Sequence, residues 1–202
     1  MLFRSPLQLK QVVEDMIADK LITKETGEQL LINRRSFQSS QHPLILIGDQ
    51  KWKDLRDPKK TLHLEHLTQW LANRVSLDYF HIDPFKVDFA AVTKVMSNAY
   101  AERYKILPVA VSTNEVTIAT AEPFVREWEP QLQQVLRLPI KRVIANPIEI
   151  QSYIVEFYNL ARSVKTANAQ DKGGFSDITN FEQLMQLGRR DRKSTRLNSS
   201  HT

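Results

Sequence analysis

The chain has 202 residues, 42% of them hydrophobic and 25% charged, with a formal net charge of +5; this is the composition of a globular protein long enough for one ordinary domain with appendages. It contains no cysteine, which excludes disulfides, thiolate catalysis and cysteine-based zinc sites. The longest apolar runs, Pro43–Ile47 and Ile106–Val111, fall far short of the ~20 residues a bilayer-spanning helix needs, and Lys10, Glu14 and Asp15 interrupt any signal-peptide core, so a cytoplasmic location is expected.

From the N-terminus, Ser5 and Pro6 read as an N-cap and first-turn pair. Leu9, Val12, Val13, Met16 and Ile17 then recur at helical spacing. Thr23 is placed to cap a second helix through Leu30–Ile32, weakened at Thr26-Gly27, and the two predict a helical hairpin ending in the polar run 34–41. The apolar run PLILI (43–47), closed by Gly48-Asp49, predicts a buried strand. Residues 50–60 are charged and contain Asp57-Pro58, the composition of a surface loop. Leu64, Leu67, Leu71 and Val75 predict a helix with Trp70 beside its apolar face.

From Asp88, the stripe Phe89, Val92, Val95, Met96 and Ala99 predicts one long helix toward Tyr104. Ile106–Val111 and Val116–Ala119 flank a polar connection and predict an antiparallel pair. Pro123 introduces a helix containing Trp128, Leu132 and Leu136; Ile140–Ile144 predicts a further strand, and Ile148–Leu160 a closing helix. The expected fold is α/β (α+β): a helical hairpin followed by a small three-stranded sheet packed with helices in the order αββαβα. The expected divisions are a hairpin and connector (1–41), an α/β domain (42–163), and a linker leading into a further region (164–190), in which 181–187 can form a short helix. Residues 191–201, DRKSTRLNSSH, resemble the conceptual translation of a sequencing adapter, so 191–202 is set aside as artefactual. That tail carries three cations against Asp191, leaving +3 for the preceding 190 residues.

The segments HPLILIGDQKWKDLRDP (42–58), ILPVAVSTNEVTIATAEP (106–123) and KRVIANPIEIQSYIVEFYNLARS (141–163) are where the chain resembles the amino-terminal domain of the ATPases that drive type II secretion and type IV pilus assembly. FEQLMQLGR (181–189) is similar to the lead-in to that family's next region. The resemblance implies a non-catalytic docking domain whose partner is the cytoplasmic part of an inner-membrane platform protein, with contact to the membrane only through partners. It also implies a hexamer in the full-length parent, and ATP and magnesium held by a motor domain that these residues do not include. No G-x-x-x-x-G-K-[ST] stretch occurs in the sequence, so the residues needed to cradle a nucleotide's phosphates are absent, and no ATPase activity or cofactor is expected of this chain itself.

Some members of that family bind cyclic di-GMP through motifs of the form R-L-G-x-x-L-x-x-x-G-x-I. Val12–Ile22 is similar to the centre of one, with Lys20 at the glycine position and no leading R-L-G; a fainter copy lies around Leu64–Leu77. The missing arginine and glycines argue against binding, so a cyclic di-GMP regulatory domain is the alternative reading.

Trp52, Leu55 and Arg56 are the candidate partner-docking residues, because a large aromatic in a basic loop can anchor a protein partner; equally, Trp52 can fold back onto PLILI. His42, His63, His66 and His81 lack metal-ligand spacing and read as solvent-facing or capping. Asp83, Asp88 and Glu102 read as turn and cap residues rather than an acid–base set. Trp70 and Trp128 read as core. Arg137, Lys141 and Arg142 cluster near the last strand without the stacking aromatics of a single-strand binder, and no nucleic-acid partner is expected.

Overall fold

The computed structural model describes residues 6–33 and 41–170. Within them the order is α1 (Leu9–Ala18), α2 (Lys24–Ile32), α3 (Pro43–Gly48), β1 (Lys53–Asp54), β2 (Asp57–Thr61), α4 (Leu64–Arg74), β3 (Asp78–Tyr79), α5 (Phe89–Val92), α6 (Asn98–Tyr104), β4 (Ile106–Val111), β5 (Val116–Thr120), α7 (Trp128–Leu136), β6 (Ile140–Ile144) and α8 (Pro147–Gln170). The mixed α/β class expected from the sequence is what forms. The described residues up to 161 make one compact unit, and 162–170 fall outside it.

The main sheet has the order β3-β6-β5-β4. β4 and β5 are an antiparallel pair, whereas β5 and β6 run parallel and are joined through α7, because parallel neighbours need a crossover. Asp78 and Tyr79 pair with Val143 and Ile144, so the sheet has four strands rather than the three expected; a two-residue strand is too short to announce itself by alternation.

Two hydrophobic clusters fill the unit. One gathers β4–β6, α5–α8 and the loops around them, with Trp128, Ile106, Ile118 and Phe157 at its centre; burying a side chain such as Phe157 stabilises by roughly 1.5–3 kcal/mol. The other gathers α1–α4 around Met16, Leu21, Leu44, Ile47 and Leu67, and takes in Ile144 from β6. Trp70 and Trp128 are both core, 6% and 0% exposed.

Several expectations are corrected. PLILI is the helix α3 and not a strand: Pro43 sits at its first turn and His42 Nδ1 accepts the Leu44 amide at 3.2 Å, a start signal that an apolar run of five residues conceals. Gly48 closes it against α4, where an added Cβ would lie 3.1 Å from the Leu64 nitrogen. Residues 50–60 are a β-hairpin rather than a loop. The long helix from Asp88 is two short ones. Thr93 Oγ1 bonds back to the Phe89 carbonyl at 2.7 Å, and Ser97 caps a new helix by accepting the Tyr100 amide at 3.2 Å; Val92, Val95 and Met96 are buried as the stripe requires. α1 starts at Leu9 with Gln8 as its N-cap, beyond the pair Ser5-Pro6, of which Ser5 lies outside the described residues. α7 begins at Trp128 and not directly after Pro123, with Pro130 in the first turn, where a missing N–H costs no intrahelical bond. α8 continues to Gln170, through the first residues of the expected linker. The run 34–40, the segment 181–187 and the tail 191–202 lie outside the described residues.

Other expectations stand. Thr23 caps α2 by accepting the Thr26 amide at 3.1 Å, and Asp88 caps α5 by accepting the Ala91 amide at 3.0 Å.

Candidate functional site

The hairpin β1–β2 grows from two anchors. Leu62 is fully buried and its amide bonds to the Trp52 carbonyl at 2.7 Å, while Trp52 packs, half-buried, on the N-terminal cluster. Of the three candidate docking residues, Trp52 therefore folds back onto the core. Leu55 and Arg56 form the two-residue turn between the strands. Asp54 builds that turn: its Oδ1 accepts the Arg56 amide at 2.9 Å, an Asx turn of the kind short acidic side chains form. The Leu55 amide bonds to the Leu21 carbonyl at 3.0 Å and pins the turn to the chain leaving α1.

Asp54 is almost fully buried, and Arg56 grips it with two further bonds, Nε to Oδ1 at 3.1 Å and Nη2 to Oδ2 at 2.9 Å. Those bonds hold the Asp54 carboxyl below its ordinary range despite burial, with His66 Nε2 3.4 Å from Oδ2 adding to the effect. A buried carboxylate needs such partners, because leaving it unpaired costs several kcal/mol.

Behind the hairpin lies an open groove of about 440 Å³, bounded by Asp19, Arg56, Lys60, His66, Trp70 and Arg74. Its wall is a network between α1 and α4. Arg74 Nη1 lies 2.7 Å from both Asp19 oxygens and Nη2 lies 2.7 Å from Asp15 Oδ1, while Trp70 Nε1 donates to Asp19 Oδ2 at 2.8 Å. Burial pushes the Asp19 carboxyl up, but the bonds from Trp70 and Arg74 outweigh it and hold the group low. Across Trp70 and Arg74 a second cavity of about 250 Å³ is lined by Leu7, Val12, Leu71, Val75 and Phe124. This arrangement offers fixed charges and an indole edge around a concavity. Among the described residues no three His, Cys, Asp or Glu side chains could hold a metal ion together.

The remaining sequence candidates serve local structure. His42 caps α3 and is buried rather than solvent-facing; His81 lies 3.9 Å from Glu149. Asp83 Oδ1 accepts the Phe85 amide and Glu102 accepts from Asn98. Lys141 pairs with Asp78 at 2.8 Å, Arg142 donates to the Pro123 carbonyl, and Arg137 ends α7 in the left-handed conformation. No motif singles out Asp15, Asp19 and Arg74; the available signal is the (i, i+4) acidic pair of Asp15 in α1 and Asp19 at its C-cap.

Residues 75–164 match the model of the MshEN domain. Over 208 aligned residues, which take in all of this chain, it is 33% identical to the type IV pilus assembly ATPase TfpB of Acinetobacter baylyi, and it spans about a third (34%) of that relative's length. Among solved structures it is similar to MshE with cdg, at a TM-score of 0.48 and 16% identity, covering 75% of this chain and 99% of that one. It is similar also to the N-terminal domain of XpsE, at a TM-score of 0.46 and 15% identity, covering 75% and 96%. The hairpin and the groove residues precede the part matched by the domain model.

Proposed function

We propose, from the premise that the chain carries the MshEN domain of the type IV pilus assembly and secretion ATPases, that it is a non-catalytic, cytoplasmic docking domain. Its role is to seat a hexameric motor on the cytoplasmic part of an inner-membrane platform protein. The observation that carries this reading is the extent of the match to the pilus ATPase: the whole chain aligns with one third of that protein. The sequence, meanwhile, has no glycine-rich phosphate cradle or its lysine. In this reading hydrolysis, with its ATP and magnesium, belongs to a motor elsewhere in the parent protein. Among the described residues no helix is long and apolar enough to cross a membrane.

The test is calorimetric titration of the chain against the cytoplasmic domain of an inner-membrane platform protein from the same source, with cyclic di-GMP titrated in parallel. Saturable binding to the platform domain is the expected result. Saturation by cyclic di-GMP with no heat from any platform domain would replace docking by ligand sensing.

A further inference from the structure

We propose that the β1–β2 hairpin and the groove behind it receive an acidic protein segment that carries an apolar residue. This rests on the docking function above and names the chemistry of what docks. Residues 51–60 hold five cations, Lys51, Lys53, Arg56, Lys59 and Lys60, against Asp54 and Asp57, a net +3. That equals the whole net charge of residues 1–190, so the rest of that stretch sums to zero. All five cations are exposed, whereas Asp54 is buried beneath Arg56 and only Asp57 faces outward in part. The bond from Leu55 to the Leu21 carbonyl brings exposed Lys20 alongside. The charge is therefore concentrated in one segment, the arrangement that steers an oppositely charged partner.

Two further features select a protein segment. Leu55 stands at the tip of the hairpin, 51% exposed, an apolar contact amid cations. The groove is a bounded concavity, with Arg56 and Lys60 on its rim and the Trp70 indole at its wall, and it has room for an inserted side chain. A lipid headgroup plane would meet the turn but not enter the groove. A single-stranded nucleic acid would need exposed rings on which to stack, and here Trp70 is 6% exposed and Trp52 packs inward.

The experiment uses the full chain, the triple variant Lys53→Glu, Lys59→Glu and Lys60→Glu, the single variant Leu55→Ser, and a control reversing Lys10, Lys24 and Lys94. Each is checked for native unfolding, then titrated with the platform protein's cytoplasmic domain, a fluorescent peptide of alternating Glu and Leu, and phosphatidylglycerol–phosphatidylcholine vesicles. The hairpin triple should weaken binding of the platform domain and of the peptide by about tenfold or more, with a steep salt dependence in the wild type, and the control should not. Leu55→Ser should weaken the peptide at unchanged salt dependence. Platform binding by the hairpin triple equal to wild type overturns this inference and leaves the docking function standing. Wild-type chain that ignores the platform domain yet binds the peptide through the hairpin supports the inference and removes the docking function. Binding to vesicles with none to the peptide overturns it in favour of a membrane surface.

Discussion

His42 Nε2 and Glu122 Oε1 lie 3.5 Å apart with both side chains nearly buried, and they join the segment before α3 to the loop after β5. Because His42 Nδ1 accepts the Leu44 amide, the ring proton sits on Nε2, which donates to the Ala121 carbonyl at 3.1 Å. Burial holds this imidazole down to about 4, against an ordinary 6.5. A base depressed in the folded state leaves the unfolded chain binding more protons between those values. Its contribution is thus complete above about pH 6.5 and is lost as the pH falls toward 4, about 3 kcal/mol in all. Glu122 opposes this. Burial raises its carboxyl above 4.5, against the Leu7 amide at 2.7 Å and Lys105, so its contribution declines as the pH climbs past 4.5. Urea midpoints measured across this range should fall on acidification, and His42→Gln should flatten the fall between pH 6.5 and 4. An unchanged slope in that variant would show that the imidazole is not the group responsible.

Lys20 and Ser76 occupy the same place at the ends of two helices, with φ of 60° and 54°. After α1, the amides of Lys20 and Leu21 bond to the carbonyls of Ile17 and Met16; after α4, those of Ser76 and Leu77 bond to Asn73 and Ala72. Both are Schellman endings with a side chain where glycine is at ease. Removing the left-handed strain outweighs the entropy glycine adds to the unfolded chain, so Lys20→Gly and Ser76→Gly should each stabilise by roughly 0.5–1 kcal/mol. Thermal unfolding of the single and double variants reads the effect, and a fall in stability at either site contradicts it.

The sequence pattern made legible the elements whose signals are local. The polar connection between Val111 and Val116 marks the β4–β5 pair, Thr23 and Asp88 mark helix starts, and the Leu64–Leu71 spacing marks α4. Lys20 stands at the glycine position of the motif that Val12–Ile22 resembles, and its positive φ is the backbone conformation that glycine favours. Illegible were elements held by distant partners. PLILI has no period long enough to separate helix from strand, and its cap, His42, is fixed by a carbonyl 79 residues away. The charged hairpin looks like a loop because its stability comes from Trp52 and Leu62 turning inward. The groove depends on Trp70 and Arg74 reaching Asp19 and Asp15 across more than fifty residues, a tertiary contact no local spacing encodes.

Gly27 is where α2 touches α1. An added Cβ would lie 2.7 Å from Val13 Cγ1 and 2.9 Å from Ile17 Cδ1. Ile17 can swing its terminal methyl aside, but Val13 is fully buried and stiff at χ1. Alanine's helix propensity favours Gly27→Ala by up to ~1 kcal/mol, while overpacking costs ~1–3 kcal/mol, so the net expectation is destabilisation of about 1 kcal/mol. Urea unfolding decides it; a variant more stable than wild type would mean that the two helices separate at little cost.

Glu65 in the first turn of α4 and Glu149 in the first turn of α8 each bury one carboxylate oxygen without a hydrogen-bond partner, Oε1 and Oε2 respectively. Asn146 donates to the other Glu65 oxygen at 3.1 Å. Burial raises the Glu149 carboxyl, Glu65 raises it further, and His81 with the Ile82 amide only partly offsets them. A carboxyl raised in the folded state favours the protonated form, so its contribution is complete below its ordinary 4.5 and is lost as the pH rises through the folded value. Above that value the Glu149 carboxylate is then a net cost, and at neutral pH Glu149→Gln should stabilise by about 0.5–1 kcal/mol by removing one charge and adding an amide donor. The gain should shrink toward pH 4, where the wild-type group is already protonated. Denaturant midpoints of the two proteins at acid and neutral pH provide the check, and a variant less stable at neutral pH would show that the ionised carboxylate is held by partners stronger than its repulsion from Glu65.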